Sequence, residues 1–271
     1  GDGDGSMRLE MRPLLGAEVL AADVNAPPTD REIREMRDAG VRAIAVSGSG
    51  PVDLSWLTEL DLVESLEVGG ATTLSWPAEH LAPTLRVLAL QVRRLQRPLR
   101  LEAFPQLVEL EVAPRNVAGD FSELPALETL ALRAMPAQGF GVLDGVGQLR
   151  VFKGRGRGEA IGSLDLGAPP VHLVHIYWGG VSVTAPLDGI QGMRALKVLD
   201  LSLGTGFDPS SPHIPLEPLE RCPHLSAVVL SRVGNFSGHE RLTQLRSILG
   251  LRIANANGSE FVWTRPTTPR R

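Results

Sequence analysis

Apolar residues return along this chain in one phrase, Leu-x-x-Leu-x-Leu, at a near-constant interval. The phrase is intact at Leu85-x-x-Leu88-x-Leu90, Leu127-x-x-Leu130-x-Leu132 and Leu196-x-x-Leu199-x-Leu201. With Val, Ile or Phe admitted it recurs around Ile44, Leu66, Leu110, Phe152, Val174, Val228 and Ile248. From one central apolar residue to the next the steps are 22, 22, 22, 20, 22, 22, 25, 29 and 20 residues. Alternation inside the phrase is the period of two of a strand with one buried face. Each repeat is therefore predicted to open on a strand and to return through a connecting stretch.

The connecting stretches are rich in proline: Pro77, Pro83, Pro98, Pro105, Pro125, Pro136, Pro169 and Pro186. Proline inside a helix costs about 3 kcal/mol, so these stretches are predicted to be extended, polyproline-like or 3₁₀ pieces and not long helices. Leu54-Ser-Trp56 and Leu74-Ser-Trp76 match each other in successive repeats, and both tryptophans are expected in the core of that side. Ahead of the first phrase, Thr29-x-x-Glu32 reads as a capping box opening a short helix. Ile33 and Met36 supply its apolar stripe, and Gly40 is placed to end it.

The domain organisation expected from this pattern is serial. Residues 1–6 read as an expression scar, 7–40 as an N-terminal cap with a short helix, 41–263 as a repeat solenoid with a C-terminal cap, and 264–271 as a disordered tail. Late repeats carry insertions, the larger over residues 204–215, where the Gly, Pro and Ser content predicts a protruding loop. The last strand is expected near Ile248, with Leu251-Arg-Ile253 and Phe261-Val-Trp263 closing the core.

This phrase and period resemble the leucine-rich repeat family over about residues 41–255. The resemblance implies a β-dominated α/β solenoid: a horseshoe with about ten parallel strands on its concave face and mostly non-helical convex segments. It also implies a concave face that binds another protein. The family commonly sets an Asn five residues after the central position. Here those places hold Ser49, Ala71, Arg93, Arg115, Met135, Arg157, Gly179, Gly204, Val233 and Ile253. Without an Asn ladder, the turns after the strands are expected to be loose and variable.

Composition narrows the function. A formal charge of −4 argues against a general nucleic-acid binder, which needs a basic footprint. The single cysteine, Cys222, rules out a disulfide framework within one chain and favours a reducing compartment. No apolar run approaches the length of a membrane helix, and the protein is expected to be cytoplasmic. Only Lys153 and Lys197 are lysines among the basic residues, an arginine bias that suggests a bacterial source.

Outward positions on the strands lie one before, one after and three after each central residue. Ten strands about 4.8 Å apart make a face roughly 45 Å wide. With the strand starts, the early repeats offer Glu64, Glu67, Glu109, Glu111 and Glu128. The middle repeats offer Arg133, Arg150, Lys153 and Arg155, with Arg157 in the following turn, and the next repeat His172, His175 and Tyr177, with Trp178 beyond. Segregated charge orients a complementary partner, and aromatic and Arg side chains anchor interfaces. The predicted partner contacts are Glu67, Glu109, Glu111, Arg133, Lys153, Arg155, His175 and Tyr177.

Catalytic motifs are weak by comparison. Gly154-Arg-Gly-Arg-Gly158 lacks dinucleotide spacing and a Walker lysine, and reads as a flexible turn. His172-x-x-His175 places its rings on opposite faces of a strand, which does not suit a metal. Cys222 and His224 have no acid partner in view. Asn235-Phe-Ser237 and Asn257-Gly-Ser259 match the glycosylation sequon, without a secretion signal to give them meaning. The chain is predicted to be a non-enzymatic module without cofactor or metal, binding an unidentified protein partner and neither nucleic acid nor membrane. The alternative is an inhibitor or immunity protein that masks the active site of a toxin or enzyme, the early acidic stripe suiting a basic target.

Overall fold

The computed structural model describes residues 7–134, 143, 145–157, 171–179, 187, 190–203, 214–231, 236–238, 251–254 and 260–263. Two compact units divide the chain, Gly1–Glu128 and Thr129–Arg271.

The first unit begins with strands β1 (Met7–Leu14) and β2 (Ala17–Val24), followed by helix α1 (Asp30–Asp38). Then come β3 (Ala43–Ser47), β4 (Pro51–Asp53), β5 (Ser65–Gly69), β6 (Thr73–Ser75), the single-turn helix α2 (Ala78–Leu81) and β7 (Val87–Gln91). Four further strands complete it: β8 (Arg94–Leu95), β9 (Leu99–Arg100), β10 (Glu109–Val112) and β11 (Val117–Ala118).

β1 and β2 form an antiparallel hairpin. Its two turn residues, Leu15 and Gly16, have φ of 48° and 85°, the primed turn whose twist matches that of the strands it joins. Sequence pattern alone gave no strand here. β2 then runs parallel to β3 with Ala22 opposite Ile44. The same register continues through Leu66, Leu88 and Leu110. The ladder thus starts one repeat before Ile44, in the weak phrase Val19-x-x-Ala22-x-Val24, whose three apolar residues are all buried. Ile44, Leu66, Leu88 and Leu110 stack as one buried column.

α1 carries its capping box in full. The Thr29 hydroxyl accepts the Glu32 N–H at 3.3 Å, and the Glu32 carboxylate accepts the Thr29 N–H at 2.7 Å. Ile33 and Met36 are buried, and Gly40 past its end has φ of 70°. The return stretches hold 3₁₀ turns at Ser55–Glu59, Leu101–Ala103 and Phe121–Glu123, and only the single-turn α2 between Pro77 and Pro83. Trp56 and Trp76 are half-buried, not core. The aromatics buried in this unit are Phe104 and Phe121, and Trp76 stacks on Phe104 with ring centroids 6.2 Å apart.

The turns after the strands of this unit are ordered, contrary to the expectation of looseness. A second parallel ladder, β4–β6–β8, satisfies their backbone groups, with Val52 opposite Leu74 and Leu74 opposite Leu95. β9 and β11 pair likewise. Gly70 sits at φ 77° so close to Gly48 that a Cβ would lie 2.4 Å from the Gly48 carbonyl oxygen. One asparagine does serve, a residue later than the family position. Asn116, 3% exposed, accepts the Leu95 N–H at 3.2 Å and donates to the Val92 carbonyl at 3.4 Å.

The second unit contains β12 (Thr129–Leu132), β13 (Val151–Arg157), β14 (Leu173–Gly179) and β15 (Val198–Leu203). They are followed by β16 (Ile214–Pro215), β17 (Ala227–Ser231), β18 (Phe236–Ser237), β19 (Leu251–Ala254) and β20 (Glu260–Trp263). Leu130, Phe152, Val174, Leu199 and Val228 stack in register as a second buried column. β16 pairs with β18, and β20 returns antiparallel on β19.

Two expectations change in this unit. Gly154 and Gly156 are not in a turn: β13 runs through them and pairs with β14 as far as Arg157 opposite Gly179. Ile248 lies outside the described residues, and the strand present is β19, with Arg252 opposite Val229. That register sets Leu251 against Val228. Residues 204–213 of the expected loop, Gly158, Asn235, Asn257 and residues 1–6 and 264–271 also fall outside the described residues.

Candidate interaction surface

In the first unit the position after each central residue forms one row: Asp23, Ala45, Glu67, Ala89 and Glu111. The position before it forms another: Ala21, Ala43, Ser65, Val87 and Glu109. Glu67 is exposed, while Glu109 and Glu111 are half-buried. The acidic residues are therefore brought onto one face, spaced along rows that also hold Ala21, Ala43, Ala45, Ala89 and Val87. Near β2 this face is dry: Leu14, Val19, Ala21 and Ala43 form a buried cluster against which Leu15 and Val87 pack. Arg12 from β1 closes over Asp23 with a two-pronged contact, 2.7 Å to each carboxylate oxygen.

The strand-entry residues, two before each central position, form a third row. Glu64 N–H bonds to the Arg42 carbonyl and Arg86 N–H to the Glu64 carbonyl, both at 2.8 Å. The side chains follow the backbone: Arg42 Nη2 reaches Glu64 Oε2 at 2.5 Å. Glu64 is thereby engaged within its own unit.

The second unit carries the other charge. Its row after the central position reads Ala131, Lys153, His175, Asp200 and Val229. Arg155, Tyr177 and Ser202 align two residues further on. Lys153 and Arg155 are exposed, and Arg133, just past the end of β12, is half-buried. Asp200 was missed in the sequence, although the rule that selects Lys153 and His175 selects it one strand later. It places an acid in register beside His175, so this surface is not uniformly basic.

Its entry row is Arg150, His172 and Lys197. His172 N–H bonds to the Arg150 carbonyl and Lys197 N–H to the His172 carbonyl, each at 2.7 Å. Burial first, then the positive charges of Lys197 and Arg150, hold the His172 imidazole below its ordinary 6.5. That dependence on both neighbours marks the three as one electrostatic group.

Nucleophilic chemistry finds little support. The Cys222 side chain is fully buried with its sulfur 3.5 Å from the Ile190 carbonyl. Burial pushes the thiol up to about 11, so it stays protonated at neutral pH, where a thiolate would be needed. Among the described residues no group of three or more His, Cys, Asp or Glu is placed to hold a metal ion. Among them, too, no helix is long and apolar enough to cross a membrane. On the return side of the first unit, a cleft of about 770 Å³ is lined by the stacked Trp76 and Phe104 together with Arg97 and Arg100. Sequence pattern gave no sign of it.

No family model matches the chain, and no curated protein matches it in sequence. Among solved structures it is similar to an internalin (inlF) from Listeria monocytogenes, with a TM-score of 0.53 and 14% identity. The match covers 88% of this chain and 66% of the internalin chain, so this protein spans about two thirds of that chain's length. At that identity the likeness speaks to fold: a leucine-rich-repeat-like, strand-dominated chain with a parallel sheet and few helices.

Proposed function

We propose that this chain is a non-enzymatic protein-interaction module, a leucine-rich repeat horseshoe of about ten parallel strands that binds a protein through its outward strand face. The observation that carries the reading is the pairing of a rigid backbone register with charge that differs by unit. Glu67, Glu109 and Glu111 share the outward face in the first unit, and Lys153 and Arg155 are exposed on neighbouring positions of β13 in the second. Fixed spacing of exposed charge selects a partner by its charge pattern. The assigned contacts are Glu67, Glu109, Glu111, Arg133, Lys153, Arg155, His175 and Tyr177. Arg150 and Lys197 extend the basic part through the entry row.

Affinity capture from the source lysate tests this, run beside a variant with Arg133, Lys153 and Arg155 all changed to Glu. A protein retained by the wild type and lost from a folded variant supports the reading. Equal capture by both contradicts the assignment of the basic face and moves attention to the cleft beside Trp76.

A further inference from the structure

β1 is the outer strand of the first unit's sheet, and its two edges can be told apart residue by residue. The two-residue turn makes Leu14 and Ala17 a hydrogen-bonded pair, and such pairs then alternate with non-bonded ones along the hairpin. Arg12 opposite Val19 and Glu10 opposite Ala21 are therefore bonded pairs. Met11 opposite Leu20 is not, which an independent contact supports: the Leu20 carbonyl accepts the Arg42 N–H at 3.0 Å from the β3 side. By the same alternation, Met7, Leu9 and Met11 turn their N–H and C=O groups to the outer edge. Pro13 occupies the next outward place, where a missing N–H costs no bond within the hairpin.

This edge is also apolar on one face and charged on the other. Met11 is 60% exposed, one of two exposed large apolar side chains among the described residues. Arg8, Glu10 and Arg12 alternate with Leu9 and Met11. Set antiparallel against itself about Leu9, the strand is self-complementary. Leu9 meets Leu9, Met7 meets Met11, and Arg8 of each copy meets Glu10 of the other. That carboxylate's Oε1 already holds Arg12 of its own strand at 2.5 Å, and its Oε2 lies 3.6 Å from its own Arg8. All three outward N–H groups of each copy then find a carbonyl. A register centred on Met11 would instead waste two bonds on Pro13.

We propose that β1 is a homodimerisation edge, along which two copies of this chain pair antiparallel in the Leu9-centred register. A five-residue edge buries far less than the roughly 1,200 Å² of a standard interface, so the dimer is weak and reversible. Sedimentation velocity from about 1 μM to about 1 mM is the first test, with the fold of each variant checked by circular dichroism. Wild type is expected to shift from monomer to dimer across that range. Arg8→Glu faces Glu10 and should weaken the dimer about tenfold, while Arg8→Glu combined with Glu10→Arg should recover most of the loss. Under mild oxidation Leu9→Cys should cross-link across the two-fold axis, whereas Met11→Cys, offset from its own copy by roughly 13 Å along the strands, should not. A wild type monomeric throughout overturns the proposal. So does a dimer indifferent to Arg8→Glu, or one in which Met11→Cys cross-links and Leu9→Cys does not.

Discussion

The strand-entry rows of the two units share a backbone and differ in charge. In the first, Arg42, Glu64 and Arg86 alternate in sign, and Arg42 pairs with Glu64. In the second, Arg150 and Lys197 flank His172, whose imidazole they help hold below its ordinary 6.5, and the three are tied by backbone bonds of the same kind. One row pairs opposite charges within itself, and the other sets two cations on either side of an imidazole that they keep from protonating. The same backbone geometry thus carries paired charge in one place and like charge in another. The row gives no hint of which until its charges are read in register.

Four substitutions or titrations sharpen that contrast, beginning with the largest effect. Gly70→Ala puts a methyl group into the Gly48 carbonyl at a positive φ and is expected to destabilise the first unit by about 3 kcal/mol or more. A denaturant melt followed by tryptophan fluorescence would register it, and an unchanged midpoint would remove the second ladder from the account.

Cys222 gives the second unit a pH dependence of its own. Its folded thiol, raised to about 11 from 9.0, stays protonated while the unfolded thiol ionises. Its contribution to stability is therefore full below pH 9 and lost as pH rises through 11, on the order of 2 kcal/mol. Cys222→Ala should flatten that alkaline slope in urea melts.

Glu64→Gln removes the partner of Arg42, whose Nε is already buried without a hydrogen bond. A loss of about 1 kcal/mol is expected. The corresponding change in the second unit, Lys197→Gln, should be neutral or stabilise by a few tenths of a kcal/mol, because it removes a repulsion. It should also raise the His172 titration point seen by NMR. Because that point lies below 6.5 when folded, His172 supports stability above pH 6.5 and withdraws the support as pH falls through its folded value. A loss for Glu64→Gln with none for Lys197→Gln is the core of the comparison, and equal losses would refute it.

Much of this fold is legible in the leucine phrase, because a buried column tolerates only apolar side chains and announces itself at every turn. What escapes are places where another force substitutes for leucine. At Ala22 the column is filled by a small residue, so the repeat is real but faint. β1 alternates strictly, yet its charged residues disguised an edge strand as a mixed stretch. Gly154 and Gly156 read as a turn because glycine weakens strands on its own, but pairing with β14 fixes them in place. Near the end, two phrases overlap, Leu245-x-x-Ile248 and Ile248-x-x-Leu251-x-Ile253. The strand present at Leu251–Ala254 selects the second. The turns were misjudged because a backbone ladder can do what an Asn ladder does. Of the candidate surface, the charges were readable from position alone, but which were already paired was not: Glu64 belongs to Arg42, and Asp200 interrupts the basic row.

Hydrogen exchange on the captured complex, compared with the chain alone, bears most directly on the claim that the outward strand face of the second unit meets the partner. The account predicts slowed exchange over residues 150–157 and 172–179, with the return stretches 76–80 and 97–104 unchanged. Protection confined to those return stretches, with the strands unaffected, would contradict it.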